Sequence, residues 1–179
     1  MRFWPNFGPT GTEAMDYWDT SALVKLYAPE SDSDYFIRRI AGQAAPIMTS
    51  AIAETEVAAT LLRKEFAGAL PRGGSGRALD EFRADCRSGA IILIPYSTQI
   101  AFETERVARS AAEAKPPLLI RSLDLIHATS ASLLRADTFV ASDKRLRDLA
   151  GLLGLCLVPE ATPANDEWKQ LPRGDRNIP

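Results

Sequence analysis

The chain has 179 residues, 46% hydrophobic and 25% charged, with 23 acids against 21 bases and a net charge of −2. These proportions exclude a disordered or collagen-like chain, and the length suits one domain with a substantial core. The near-balance of charge gives no global signature of a nucleic-acid binder.

In chain order, residues 1–14 (MRFWPNFGPTGTEA) are rich in Pro, Gly and Thr, lack periodicity, and read as an irregular extension, with Met15 as an alternative translation start. A short strand is expected over 16–19, a helix over 21–27 ended by Pro29, and a second helix capped by Ser31 and running to Ile40. Residues 46–50 read as a strand and 52–67 as a long helix. PRGGSG (71–76) reads as a turn or flexible loop, followed by a helix over 77–88 and a buried strand over 91–94. A helix over 98–114 stops before Pro116 and Pro117, and Ser122 is placed to cap the next, to Arg135. A strand over 138–141, a helix over 144–152 and a last strand over 155–158 follow, with an irregular tail over 160–179. Short apolar strands alternating with helices predict an α/β domain over 15–159, a three-layer α/β/α sandwich around a parallel sheet of about five short strands.

No apolar stretch approaches the ~20 residues that span a bilayer, and the N-terminus has no apolar h-region. Cys86 and Cys156 form no CxxC or metal-spaced pair and read as reduced thiols of a cytoplasmic protein. GxGxxG after the first strand and GxxxxGK[ST] are both missing, so dinucleotide and P-loop chemistry lose their usual support.

Ligands of an open parallel sheet gather beyond the carboxyl ends of its strands. Asp19 ends the first strand and Asp143 follows the fourth; Glu54 and Glu56 lie in the first turns of the helix after strand two, and Asp124 in the first turn of the helix from Ser122. Gathered carboxylates repel, and a hard divalent cation removes that cost; Mg²⁺ or Mn²⁺ suits an all-oxygen donor set. Position alone leaves a second reading open, because Asp19, Asp124 and Asp143 also stand where helices take N-caps or first-turn acids.

YWDTSALVKLYAPE, TSAIAETEVAATLLRK, SLDLIHATSASLL and FVASDKRL resemble the PIN domain, in particular the VapC-type toxins of toxin–antitoxin pairs, in order across residues 15–159. The resemblance implies a Mg²⁺- or Mn²⁺-dependent ribonuclease whose acidic tetrad is Asp19, Glu56, Asp124 and Asp143, with the Ser21 hydroxyl supporting the metal site. It also implies an RNA substrate, a cognate antitoxin and a homodimer. Helical periodicity separates Glu54 from Glu56 by about 200° without choosing between them; the family register selects Glu56. Setting the tetrad aside leaves bases in slight excess, so near-neutrality does not argue against RNA.

His127, three residues after Asp124 on one helix face, reads either as a general acid or as a packed, hydrogen-bonded histidine. Lys25, Arg63, Lys64, Arg121, Lys144 and Arg145 read either as RNA-backbone contacts or as solvated helix faces. Leu23, Leu26, Tyr27, Phe36, Ile37 and Ile40 offer an apolar face to a partner protein. Two competing functions remain: a catalytically silent PIN-like binding module, and a haloacid-dehalogenase-type phosphohydrolase, which wants a second Asp where Ser21 stands.

Overall fold

In the computed structural model, residues 15–43 and 45–160 are described. The terminal segments expected at 1–14 and beyond 160 lie outside them. Strand β1 (Asp16–Trp18) leads through α1 (Thr20–Leu23), a short 3-10 turn (Val24–Leu26) and α2 (Ser33–Ala41) to β2 (Ile47–Ser50). Helices α3 (Ala53–Phe66) and α4 (Gly74–Ser88) connect to β3 (Ile91–Ile94), and α5 (Thr98–Glu113) and α6 (Ser122–Leu134) to β4 (Thr138–Val140). Helix α7 (Lys144–Leu152) and β5 (Leu157–Val158) complete the domain.

All strand pairings are parallel, in the order β3-β2-β1-β4-β5. Successive strand residues point to opposite faces, so each strand feeds two cores. Trp18, Ile47, Ile91 and Val140 pack with Leu23, Phe36, Val57, Leu61 and Phe82 beneath α1–α4. Tyr17, Met48, Ile94 and Phe139 pack with Ile100, Val107, Ala128, Leu146 and Leu149 beneath α5–α7. The three-layer α/β/α architecture and five parallel strands match the sequence expectation. The connections carry the chain outward from β1 to β3, then back across to β4, so the order reverses between β1 and β4. In an open parallel sheet the ligand crevice lies at such a switch point, beyond the carboxyl ends of the strands.

Some local expectations need correction. The first helix is not continuous over 21–27: α1 ends at Leu23 and tightens into the 3-10 turn. Ser31 does not cap α2, whose N-cap is Asp32, and Ser33 Oγ instead accepts from the Glu30 amide. Nor does Ser122 cap α6; it is the first helical residue, behind Arg121.

The largest correction concerns 71–76. The segment is not a flexible loop, because α4 already begins at Gly74. Glu65, on the last turn of α3, accepts from the Gly73 and Ser75 amides and from Ser75 Oγ, capping α4 from the neighbouring helix. Gly73 has φ +75, the left-handed region that favours glycine, and a Cβ at Gly74 would sit 3.1 Å from Pro71 Cδ. The glycines serve a tight corner, and the satisfied amides offset their poor helix propensity.

These hydrogen bonds hold the Glu65 carboxyl down to about 2, against an ordinary 4.5. A depressed carboxyl pKa stabilises fully above the ordinary value, and the contribution is lost as pH falls through the folded value. We therefore expect the protection of the Gly73 and Ser75 amides, measured by NMR as exchange relative to the intrinsic rate at each pH, to hold at neutral pH and to fall as pH approaches 2; in Glu65→Ala it is low throughout.

The apolar face expected for a partner is mostly internal. Leu23 and Phe36 are fully buried, and of the six residues named, Ile37 is the exposed one. Large exposed apolar side chains lie instead at Leu62, Phe66, Phe102 and Leu119, with Tyr96 and Leu123 half exposed. Among the described residues no helix is long and apolar enough to cross a membrane.

Candidate active site

Four acids from four segments meet the crevice. Asp19 follows β1 and Asp143 follows β4, flanking the switch point; Glu56 stands in the first turn of α3 and Asp124 in the first turn of α6.

The cap reading and the cluster reading coexist, because a carboxylate has two oxygens. Asp19 is the N-cap of α1: its Oδ2 accepts from the Ser21 amide at 2.8 Å, and its Oδ1 lies 3.7 Å from His127 Nε2. Asp143 is the N-cap of α7: its Oδ1 accepts from the Leu146 amide at 3.1 Å, and its Oδ2 lies 3.7 Å from Arg121 Nη2. The cap fixes each carboxylate while its second oxygen faces the crevice.

Glu56 and Glu54 take different neighbours, as their separation on α3 requires. Glu54 turns to α4 and pairs with Arg83 at 3.1 Å. Glu56 turns inward, where its Oε2 accepts from Thr20 Oγ1 and from His127 Nε2, each at 2.7 Å. His127 is fully buried, and its Nδ1 lies 3.0 Å from the Tyr17 hydroxyl. A carboxylate only accepts, so the Nε2 proton is the one shared with Glu56. Both ring nitrogens are thus engaged by Tyr17 and Glu56, not by a cysteine; Cys86 and Cys156 are free thiols. Thr20 and Tyr17 had drawn no notice in the sequence, although both adjoin the Trp18-Asp19 pair: alternation sends Tyr17 toward α6, and Thr20 opens α1.

The electrostatics show the acids sensing one another. Burial is the main cause of the raised Asp124 pKa; the charges of Asp19, Asp143 and Glu56 push the same way, and Arg121 opposes them. Burial alone would also raise Glu56, but the His127 hydrogen bond and charge, with Thr20 and Arg121, outweigh it and hold this carboxyl below its ordinary value. For His127, burial would lower the pKa; the Glu56 hydrogen bond and the charges of Asp19, Glu56 and Asp124 more than offset it, so the ring sits above its ordinary value. Asp124 Oδ2 is buried without a hydrogen-bond partner.

Ser21 joins the two flanking segments. Its Oγ accepts from the amides of Ser142 at 3.0 Å and Asp143 at 3.3 Å, and its carbonyl accepts from Ser142 Oγ. It holds the β4 end, and with it Asp143, against the β1 end.

Among the described residues no three His, Cys, Asp or Glu side chains form a ready-made metal cage. Mg²⁺ does not need one, since it binds through one or two carboxylates and keeps several waters. The donors here are oxygen-only, and Asp124 Oδ2, which has no hydrogen bond and only a loose ion pair with Arg121, is an atom that a hard cation would satisfy. The residues present fit such an ion.

Of the six basic residues expected near the mouth, three are ion-paired elsewhere. Lys25 is buried and pairs with Glu30 at 2.7 Å and Asp32 at 2.6 Å; Lys64 also pairs with Glu30, and Lys144 with Asp148. A charged lysine goes inside only when paired, and the acids at 30 and 32 pair it. Among the described residues Arg121 is the one of the six that ion-pairs with site carboxylates.

Solved structures of similar fold include a chain of VapBC2 from Rickettsia felis bound to a DNA fragment from its promoter, at 20% identity, covering 80% of this chain and 96% of that one, with a TM-score of 0.57. A chain of FitAcB from Neisseria gonorrhoeae matches at 14% identity over 80% of this chain and 96% of that one, TM-score 0.53. A toxin–antitoxin complex from Klebsiella pneumoniae matches at 16% identity over 78% and 94%, TM-score 0.51. No curated protein matches the chain. The family model described as PIN domain matches residues 17–152, a span that runs from β1 to the end of α7 and includes all four crevice acids. The chain belongs to the PIN domain family.

Proposed function

We propose that the chain is a Mg²⁺- or Mn²⁺-dependent endoribonuclease and the toxin of a toxin–antitoxin pair, with residues 15–159 as its nuclease domain. The observation that carries the proposal is the convergence of Asp19, Glu56, Asp124 and Asp143 on the switch point, with Asp124 raised by burial and by the charges of the other three, and with one of its oxygens lacking a hydrogen bond. Such coupling among carboxylates in a cleft is a mark of a reactive site. The toxin role is supported by the likeness to chains from VapBC2 and from a toxin–antitoxin complex. An antitoxin and a second copy of the chain are the partners we propose, in a cytoplasmic setting.

Asp19, Asp124 and Asp143 would hold the cation, with Glu56 at its edge. When bound, the cation lowers the pKa of a coordinated water and offsets charge growing on the phosphate oxygens. Glu56, fixed by Thr20 and His127, would bind the cation or orient the attacking water. The caps on Asp19 and Asp143 keep those groups from turning away, so little reorganisation is needed during reaction. Ser21 works through Asp143 as a positioning residue. It also carries amide contacts where a haloacid-dehalogenase-type enzyme would need its second Asp, so that chemistry has no carboxylate to use.

The test is incubation of the purified protein with structured RNAs in Mn²⁺ or in EDTA. We expect internal cleavage in Mn²⁺ and none in EDTA. Cleavage that persists in EDTA, or intact RNA in both conditions, overturns the proposal.

A further inference from the structure

Arg121 stands directly before α6 and makes no side-chain cap there. Its guanidinium lies across the crevice mouth, with Nε 3.4 Å from Asp124 Oδ2 and Nη2 3.7 Å from Asp143 Oδ2. Neither contact has hydrogen-bond geometry, and the side chain is 70% exposed, so charge steers the group without locking it. Beneath it, Asp124 Oδ2 is buried and lacks a hydrogen-bond partner. The guanidinium therefore serves as a loose counter-charge above two carboxylates that our functional reading assigns to a divalent cation. The neighbouring bases are not equivalent, since Lys144 pairs with Asp148 and Lys25 and Lys64 with Glu30.

We propose that Arg121 is a phosphate-gripping residue stored on the carboxylates it must vacate. Without a divalent cation its guanidinium offsets the charge of Asp124 and Asp143. Once those carboxylates take the cation, their hold on the guanidinium weakens, and Arg121 turns outward to the RNA phosphate at the cleft. Its planar fork matches a phosphate in a way that a lysine ammonium does not. Arg121 thus competes with the cation in the free protein and binds alongside it in the complex. Occupancy by cation and by RNA are consequently coupled, each favouring the other.

This inference rests on the metal-dependent ribonuclease reading, and the experiment separates the two. Mn²⁺ binding is measured by calorimetry on the full chain without RNA, for wild type, Arg121→Ala and Arg121→Lys, with thermal melting as a fold check. RNA cleavage is then followed at saturating Mn²⁺ and several salt concentrations. We expect Arg121→Ala to bind Mn²⁺ about 5-fold more tightly, as loss of a coupled competitor predicts. We expect its KM for RNA to rise about 10-fold, and its salt dependence to fall by about one unit on logarithmic axes. Arg121→Lys should keep most of the competition with Mn²⁺ and fail to restore KM. Unchanged or weaker Mn²⁺ binding in Arg121→Ala overturns the stored-cation role, and an unchanged KM overturns the phosphate role. A wild-type protein that binds no Mn²⁺ overturns the underlying functional reading itself.

Discussion

Asp19→Asn should lower single-turnover RNA cleavage in Mn²⁺ on the order of 10²–10³-fold while leaving the fold intact, the scale seen when one preorganised electrostatic group is removed from an active site. The two halves of this expectation have separate causes. Asparagine is as good an N-cap as aspartate, so the bond to the Ser21 amide that Asp19 Oδ2 now accepts survives the change. The charge does not survive, and Asp19 is the strongest of the carboxylate neighbours raising Asp124. A cation site built on mutual repulsion loses affinity when one of the repelling charges is neutralised. Thermal melting within a few degrees of wild type, beside the loss of cleavage and weaker Mn²⁺ binding, would bear this out. A variant that cuts RNA at the wild-type rate would remove Asp19 from the site.

The largest effect on stability is expected at Phe139→Ala, about 3–5 kcal/mol by urea denaturation, a large share of the ~5–15 kcal/mol that holds a domain together. Phe139 is fully buried in β4, which pairs with both β1 and β5, and its ring stacks on Tyr17 with centroids 5.7 Å apart. Removal leaves a cavity at the middle of the sheet, where two neighbouring strands limit collapse. The damage should reach the site, because Tyr17 touches His127 and His127 fixes Glu56. The control is Phe66→Ala: this ring is 97% exposed, so its loss should shift stability by no more than about 0.5 kcal/mol. Equal effects at the two positions would contradict the assignment of the core.

Strand-then-aspartate patterns made Asp19 and Asp143 legible in the sequence, since short apolar runs ended by an acid mark the carboxyl edge of a parallel sheet. Glu56 was legible only through the family register. Periodicity separates it from Glu54, but the choice depends on partners remote in sequence, Arg83 for one and His127 for the other. The GGSG stretch misled because its local propensity is poor, and its cap comes from Glu65 on another helix. Lys25 misled for the opposite reason: it looks like a surface base until the chain folds Glu30 and Asp32 onto it. His127 showed its position but not its role, which is set by a tyrosine from β1 and a glutamate from α3.

The central place of β1 has a consequence for the timing of synthesis. Of the five described strands, the first in sequence lies in the middle of the sheet, with β2 on one side and β4 on the other. Asp19 is made with β1, while Asp124 and Asp143 arrive only after β3. Parallel pairing over such separations forms late, because the intervening chain must close first. A ribosome halted before β4 therefore displays three of the five strands. The proposed acid cluster closes only once β4 has been made, so a product truncated before β4 lacks Asp143.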